Sequence, residues 1–219
     1  MSFLDILAEL SRGIGYTLVV TLACAATGMA VGLAVAGLRR LAVPGVGPLL
    51  IAFTYVFRGV PVLVLLFLVY FGLPGIGLKV SPLGAMVLSL GLVAGAYLSE
   101  VFRGALDSID PAEVMAADAM GLSRLQTLAH IEVPQMLRFA VPGMVNELTT
   151  ILKYSPFAYT VGIPEITKQA MTMTATSLQG IEVYLAVGLT YFAIYRLLLA
   201  GVHLVERRFR VPGLVAGRA

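Results

Sequence analysis

The stretch Ala116-Ala117-Asp118-Ala119-Met120-Gly121, followed by Ile131-Glu132-Val133-Pro134, is a polar island between long apolar runs. Just upstream, Asp110-Pro111-Ala112-Glu113 has the composition of a helix start, because an aspartate side chain can cap free amides and proline fits the first turn. The alanines that follow are strong helix formers and leave a surface without bulky side chains. Gly121 permits the left-handed residue that ends such a helix, and Leu122-Ser123-Arg124 opens the next one. The spacing predicts two short helices lying outside the lipid. An alanine face of that kind either packs on its own subunit or enters a groove on a partner.

Outward from the island the chain turns apolar in both directions. Of its 219 residues 59% are hydrophobic and 12% charged, where a soluble domain carries about 25% charged residues. Apolar runs fall at about 16–38, 49–72, 82–101, 138–163 and 181–204, each near the ~20 residues that a helix needs to cross ~30 Å of hydrocarbon. They are continuously apolar, without the period-two alternation of lipid-facing strands, so the expected fold is an all-α transmembrane domain of about five spans. That domain is expected over 15–206, with a short outer segment over 1–14 and a tail over 207–219. The first run follows Asp5, Glu9 and Arg12 and lacks a basic leader and a small-residue cleavage site, so it reads as a retained span.

Charge placement sets the expected orientation. Arg39-Arg40, then Arg103 and Arg124, then Arg207-Arg208-Phe209-Arg210 all occupy odd-numbered connections. The positive-inside rule makes those connections cytoplasmic, with the N-terminus outside, the C-terminus inside, and the loops near Lys79 and near Glu165 and Lys168 outside. The terminal arginines then read as anchors at the cytoplasmic membrane surface. The net charge of +3 reports this topology and points to no nucleic-acid partner. Cys24 is the single cysteine and lies inside the first span, as a small packing residue. His130 and His203 lack ligand spacing for a metal, and no phosphate-cradling Gly-x-x-x-x-Gly-Lys-Ser/Thr loop is present, so the chain is not expected to hydrolyse ATP.

Two spans are interrupted. Arg58-Gly59-Val60-Pro61 predicts a kink, because proline cannot donate the helix hydrogen bond. Pro142, Pro156 and Pro164 mark the fourth span as broken, and broken helices are tolerated where they line protein or water-filled space, so that helix is the candidate pathway wall. It carries Asn146, Glu147 and Lys153, and the seven-residue spacing puts Asn146 and Lys153 on nearly one face. A zwitterion needs a cation near its carboxylate and an acceptor near its ammonium, and this face offers both. Lys153 therefore either contacts a substrate or forms a structural pair, and Arg58 either pairs, snorkels or contacts a substrate. Glu100 and Arg103 are spaced for a local pair. The pairs Gly28 with Gly32 and Gly91 with Gly95 have the spacing of close helix-packing faces, expected within one subunit. No internal duplication is visible, so a second subunit is expected to complete the channel.

The island resembles the E-A-A-x(3)-G-x(9)-I-x-L-P loop by which permease subunits of ATP-binding-cassette importers engage their ATPases. Phe57-Arg58-Gly59-Val60-Pro61-Val62-Leu63, Tyr70-Phe71-Gly72-Leu73-Pro74 and Gly95-Ala96-Tyr97-Leu98-Ser99-Glu100-Val101-Phe102-Arg103-Gly104 are similar to the polar and basic amino-acid permease branch, the histidine and glutamine type. The resemblance implies a type I importer (MetI-like) fold in a prokaryotic inner membrane, with lipid around it. It further implies a second permease subunit, a heterodimer being favoured over a homodimer, and an extracytoplasmic amino-acid-binding protein. Two ATPase subunits would bind ATP and magnesium, and this chain would hold no cofactor. On this pattern Glu113, Ala116, Ala117, Gly121, Ile131 and Pro134 carry ATPase coupling, and Arg58, Asn146, Glu147, Lys153, Tyr154 and Ser155 line the substrate path. Two positions depart from it. Met115 stands where the loop motif has glutamate, and Tyr154-Ser155-Pro156 replaces the Asp-Thr-Ser that commonly follows the lysine. Two other readings are a degenerate partner with a structural role and an ATPase-independent channel or secondary carrier.

Overall fold

The computed structural model describes residues 2–209, and within them the ordered elements are helical. Of the expected tail only the backbone of 207–209 is described; residues 210–219, with the side chains of Arg207, Arg208 and His203, lie outside the described residues. The first helix, α1 (Phe3–Arg40), begins at Phe3 instead of near Tyr16. A capping box explains the early start: Ser2 Oγ accepts from Asp5 N–H at 3.2 Å, and Asp5 Oδ2 accepts from Ser2 N–H at 2.8 Å. The mixed-charge segment, expected as a separate outer piece, is thus continuous with the span, and its Ile6 and Leu10 are fully buried.

The second apolar run is α2 (Gly47–Gly59) and α3 (Val62–Phe67), α3 continuing through wider and tighter turns to Ile76. The sequence predicts a kink here; the two pieces meet at 103°. Val60 is extended (φ −96°, ψ 130°) and Pro61 offers no N–H, so the helix is fully interrupted between the pieces. The third run is α4 (Pro82–Met86) and α5 (Leu92–Asp107), joined by one π-helical turn into a 26-residue span. After α6 (Pro111–Ala119) and α7 (Arg124–Thr127), a π-helical turn over Leu128–Glu132 leads into α8 (Val133–Tyr154). Two further helices, α9 (Ile166–Ser177) and α10 (Gly180–Phe209), complete the described residues.

Among the described residues three helices are long and apolar enough to cross a membrane, or four if the bent α2–α3 pair counts as one span. The expected fifth, over 138–163, is the exception. Its helix starts earlier, carries Arg138, Glu147 and Lys153, and gives way at Ser155 to a 3₁₀ stretch that ends at Gly162 with φ +92°. The loop expected near Glu165 and Lys168 is the start of α9.

Three apolar clusters are strung along α1. Ile6 and Leu10 pack with α9 and α10, Val20 and Cys24 with α3, α4 and the 158–163 segment, and Ala36 with α5, α8 and Leu128. Lipid tails are as apolar as leucine, so helix association in a membrane rests on close van der Waals fit more than on burial itself. The glycine pairs supply that fit between α1 and α5. A Cβ at Gly28 would stand 2.8 Å from Ala94 Cβ, and one at Gly95 2.7 Å from Val31 Cγ1. Both pairs therefore pack inside the subunit, and the Cys24 thiol, buried beside them, donates to Met86 O at 3.5 Å.

Candidate functional site

The polar island folds as two capped helices. Asp110 Oδ1 accepts from Ala112 N–H at 2.9 Å and Pro111 occupies the first turn of α6. At the other end Leu122 N–H reaches Ala117 O (3.1 Å) and Gly121 N–H reaches Asp118 O (3.0 Å), the paired bonds of a Schellman stop. Gly121 sits at φ +80° with open space around its Cα, so backbone conformation, not crowding, requires glycine there. Ser123 and Gln126 form the capping box of α7.

The alanine face is split. Ala117 packs inward at 5% exposure, Ala116 and Ala119 face out, and around them Met115, Met120 and Leu125 are 64%, 80% and 63% exposed. Glu113 accepts a hydrogen bond from Gln135 Nε2, tying α6 to the start of α8. Ile131 is half-buried and Pro134 exposed. The loop thus presents an apolar knob on a frame held by its own caps.

A second group lies between the helices. Arg58, on the last turn of α2, holds its guanidinium 5.0 Å over the Tyr97 ring. Arg39, Thr54, Tyr55 and Glu100 line the same open cleft. Glu100 forms the expected bond with Arg103 (2.8 Å) and also takes Arg39 (2.5 Å), while Arg103 reaches on to Asp107 (2.8 Å). No α8 residue lines this cleft, which holds Arg58 but none of the other expected substrate-path residues.

On α8 those residues divide between two faces. Glu147 is buried, with no hydrogen-bond or ion-pair partner among the described residues. Ser155 is also buried, its hydroxyl donating to Leu152 O at 2.8 Å. Asn146 and Lys153 are exposed together, as their spacing requires, and Lys153 makes no ion pair among the described residues. Tyr154 stacks on Phe157, ring centroids 5.6 Å apart and planes 14° off parallel.

Two further carboxylates are buried, and neither carries a sequence signal of burial. Glu165 is wholly buried and caps α9, accepting from Thr167 and Lys168 N–H and from Tyr191 Oη, each at 2.8 Å. Glu132, inside the island, is 4% exposed and takes Arg40 from the end of α1.

Known proteins share this architecture. A family described as "Binding-protein-dependent transport system inner membrane component" matches residues 28–211. The probable amino-acid ABC transporter permease protein YckA of Bacillus subtilis is 32% identical over 201 residues, covering 90% of this chain and 88% of that one. The probable glutamine ABC transporter permease protein GlnP of the same organism is 35% identical over 181 residues, covering 81% and 83%. Among solved structures, an amino acid ABC transporter crystallised with histidines superposes with a TM-score of 0.83 at 26% identity, covering 95% of this chain and 99% of that one. The MetNI methionine ABC transporter in an inward-facing form shares the fold, with a TM-score of 0.78 at 21% identity over 96% and 100% of the two chains.

Proposed function

This chain belongs to the binding-protein-dependent transport system inner membrane components, the membrane permeases of ABC importers, and from that premise we propose that it forms half of an amino-acid translocation path. The relatives' names, with the zwitterion-ready face of α8, support an amino acid as cargo. Asn146 and Lys153 stand exposed on α8, and a substrate carboxylate there would meet an ammonium that has no ion-pair partner among the described residues. A second permease subunit, different from this one, completes the path, and an extracytoplasmic binding protein delivers the cargo.

The observation that carries the mechanism is the apolar knob of Met115, Met120 and Leu125 on the capped α6–α7 frame. Thioether and leucine side chains left this exposed on a polar loop fit a groove on an ATPase, which would bind ATP and magnesium and drive the path between outward and inward access. Met115 replaces the usual glutamate, so the contact is apolar where an acid would otherwise stand. The α6–α7 end is then cytoplasmic and the N-terminus outside.

The test is purification of the whole complex from membranes, followed by reconstitution with the binding protein. The wild type co-purifies with its ATPase and takes up a labelled amino acid. Gly121→Val places a β-branched residue at φ +80°, a cost of roughly 1–2 kcal/mol that the turn relieves by reorienting the knob. ATPase recovery falls while the permease still inserts. Unchanged recovery together with unchanged substrate-stimulated hydrolysis in that variant would count against the coupling role.

A further inference from the structure

Glu132 occupies the position that the loop motif leaves open between Ile131 and Val133, and it lies apart from the exposed knob. It is 4% exposed, and one of its oxygens accepts from two nitrogens of Arg40, Nε at 2.8 Å and Nη2 closer still. The partners are 92 positions apart, joining the last turn of α1 to the residue that ends the π-helical turn over Leu128–Glu132. Glu132 is buried while the Arg40 side chain is 34% exposed, so the desolvation cost falls mainly on the carboxylate and offsets part of the attraction. What the pair offers here is register, because the buried Glu132 carboxylate keeps its two Arg40 donors only while α1 and the turn hold this arrangement.

Register is at issue at this place. A π-helical turn holds one residue more than an α-helical turn, and its loss rotates the following helix by about 100°. The helix that follows is α8, the bearer of Asn146, Glu147 and Lys153. Beside the pair is a pocket lined by Arg40, Asp118, Arg124, Thr127 and Glu132, and the Thr127 hydroxyl is buried there without a partner among the described residues. Arg124 and Asp118 make no ion pair among the described residues. The turn therefore has room to rewind and an unsatisfied group that a rewound turn could satisfy.

We propose that Arg40 and Glu132 are positioning residues for transport: the pair fixes the π-helical turn so that the docking loop, α1 and the substrate face of α8 move together when the ATPase closes. This role rests on the ATPase-coupling reading of the loop. The experiment uses the complete complex with its ATPase and binding protein in proteoliposomes, comparing Arg40→Met, Glu132→Gln and the exchange Arg40→Glu with Glu132→Arg. The single variants should assemble with the ATPase at near wild-type yield and hydrolyse ATP, while amino acid transported per ATP falls about fivefold to tenfold. The exchange should recover at least half of that ratio. Normal transport per ATP in both single variants overturns the proposal. So does a loss of assembled complex whose remaining fraction transports normally, since the pair would then be structural only. If the wild-type permease retains no ATPase, the coupling reading itself fails, a distinct result.

Discussion

The mast of α1 with α5 and α9, and the pair formed by the α6–α7 loop and the outer face of α8, are built to opposite rules. Along the mast close approaches are filled from within the chain. Gly13 lies so near the start of α9 that a Cβ would stand 2.5 Å from Ile166 N, and the Glu165 carboxyl beside it is satisfied by three donors. The loop and α8 leave groups unfinished among the described residues: three large apolar side chains in the open, a lysine with no counter-ion, and the carboxyl of Glu147 with no donor. Under the proposed function, other molecules supply the missing half of each contact, and the mast holds still while they do.

The comparison breaks most visibly at Gly13. In Gly13→Val the new side chain meets backbone atoms of Glu165 and Ile166, which no rotamer change can move, so the complex should lose about 3 kcal/mol, the upper end of overpacking penalties. Thermal unfolding of the detergent-solubilised complex measures it, and an unchanged midpoint would mean the mast is slack. The next effect belongs to the unfinished side. A charge-assisted hydrogen bond from Lys153 contributes about 1.5–3 kcal/mol, so Lys153→Met should weaken substrate binding to the purified complex, without binding protein, by one to two orders of magnitude. Full assembly with unaltered affinity would move the carboxylate contact to the partner permease, as the stacked Tyr154 and the proline after Ser155 would favour. The smallest effect lies between the two regions. A double-mutant cycle on Arg58→Met and Tyr97→Leu should return about 0.5–1 kcal/mol of coupling in complex stability. A value near zero would leave Arg58 free to join the unfinished side.

The features legible in the sequence are those whose causes are local. Asp110, Gly121 and Ser123 act on amides within a few residues, so the residue order alone places the two short helices. Apolar runs are equally local, which is why most span positions follow from them. Proline at 61 announces a break but not the 103° bend between the pieces. The sequence misplaces the start of α1 because charge in Asp5, Glu9 and Arg12 suggests solvent, while Ile6 and Leu10 between them pack on α9 and α10. Glu165 looks like a loop acid since its partner Tyr191 lies 26 positions on. Arg40 looks only like a topology signal, its carboxylate being 92 positions away in the island. On α8 the shared face of Asn146 and Lys153 is visible in their spacing. The burial of Glu147 without a donor is not, because burial depends on which helices crowd around it.

Cys24 has a practical bearing of its own. It is the sole thiol of the chain, fully buried in the mast beside α4 and α5. Water-borne maleimides should pass it by in the folded protein, so the natural sequence already serves as a nearly silent background for site-directed labelling. A spin label or fluorophore at Tyr55, which is exposed, could report the elbow during turnover, with no native cysteine removed.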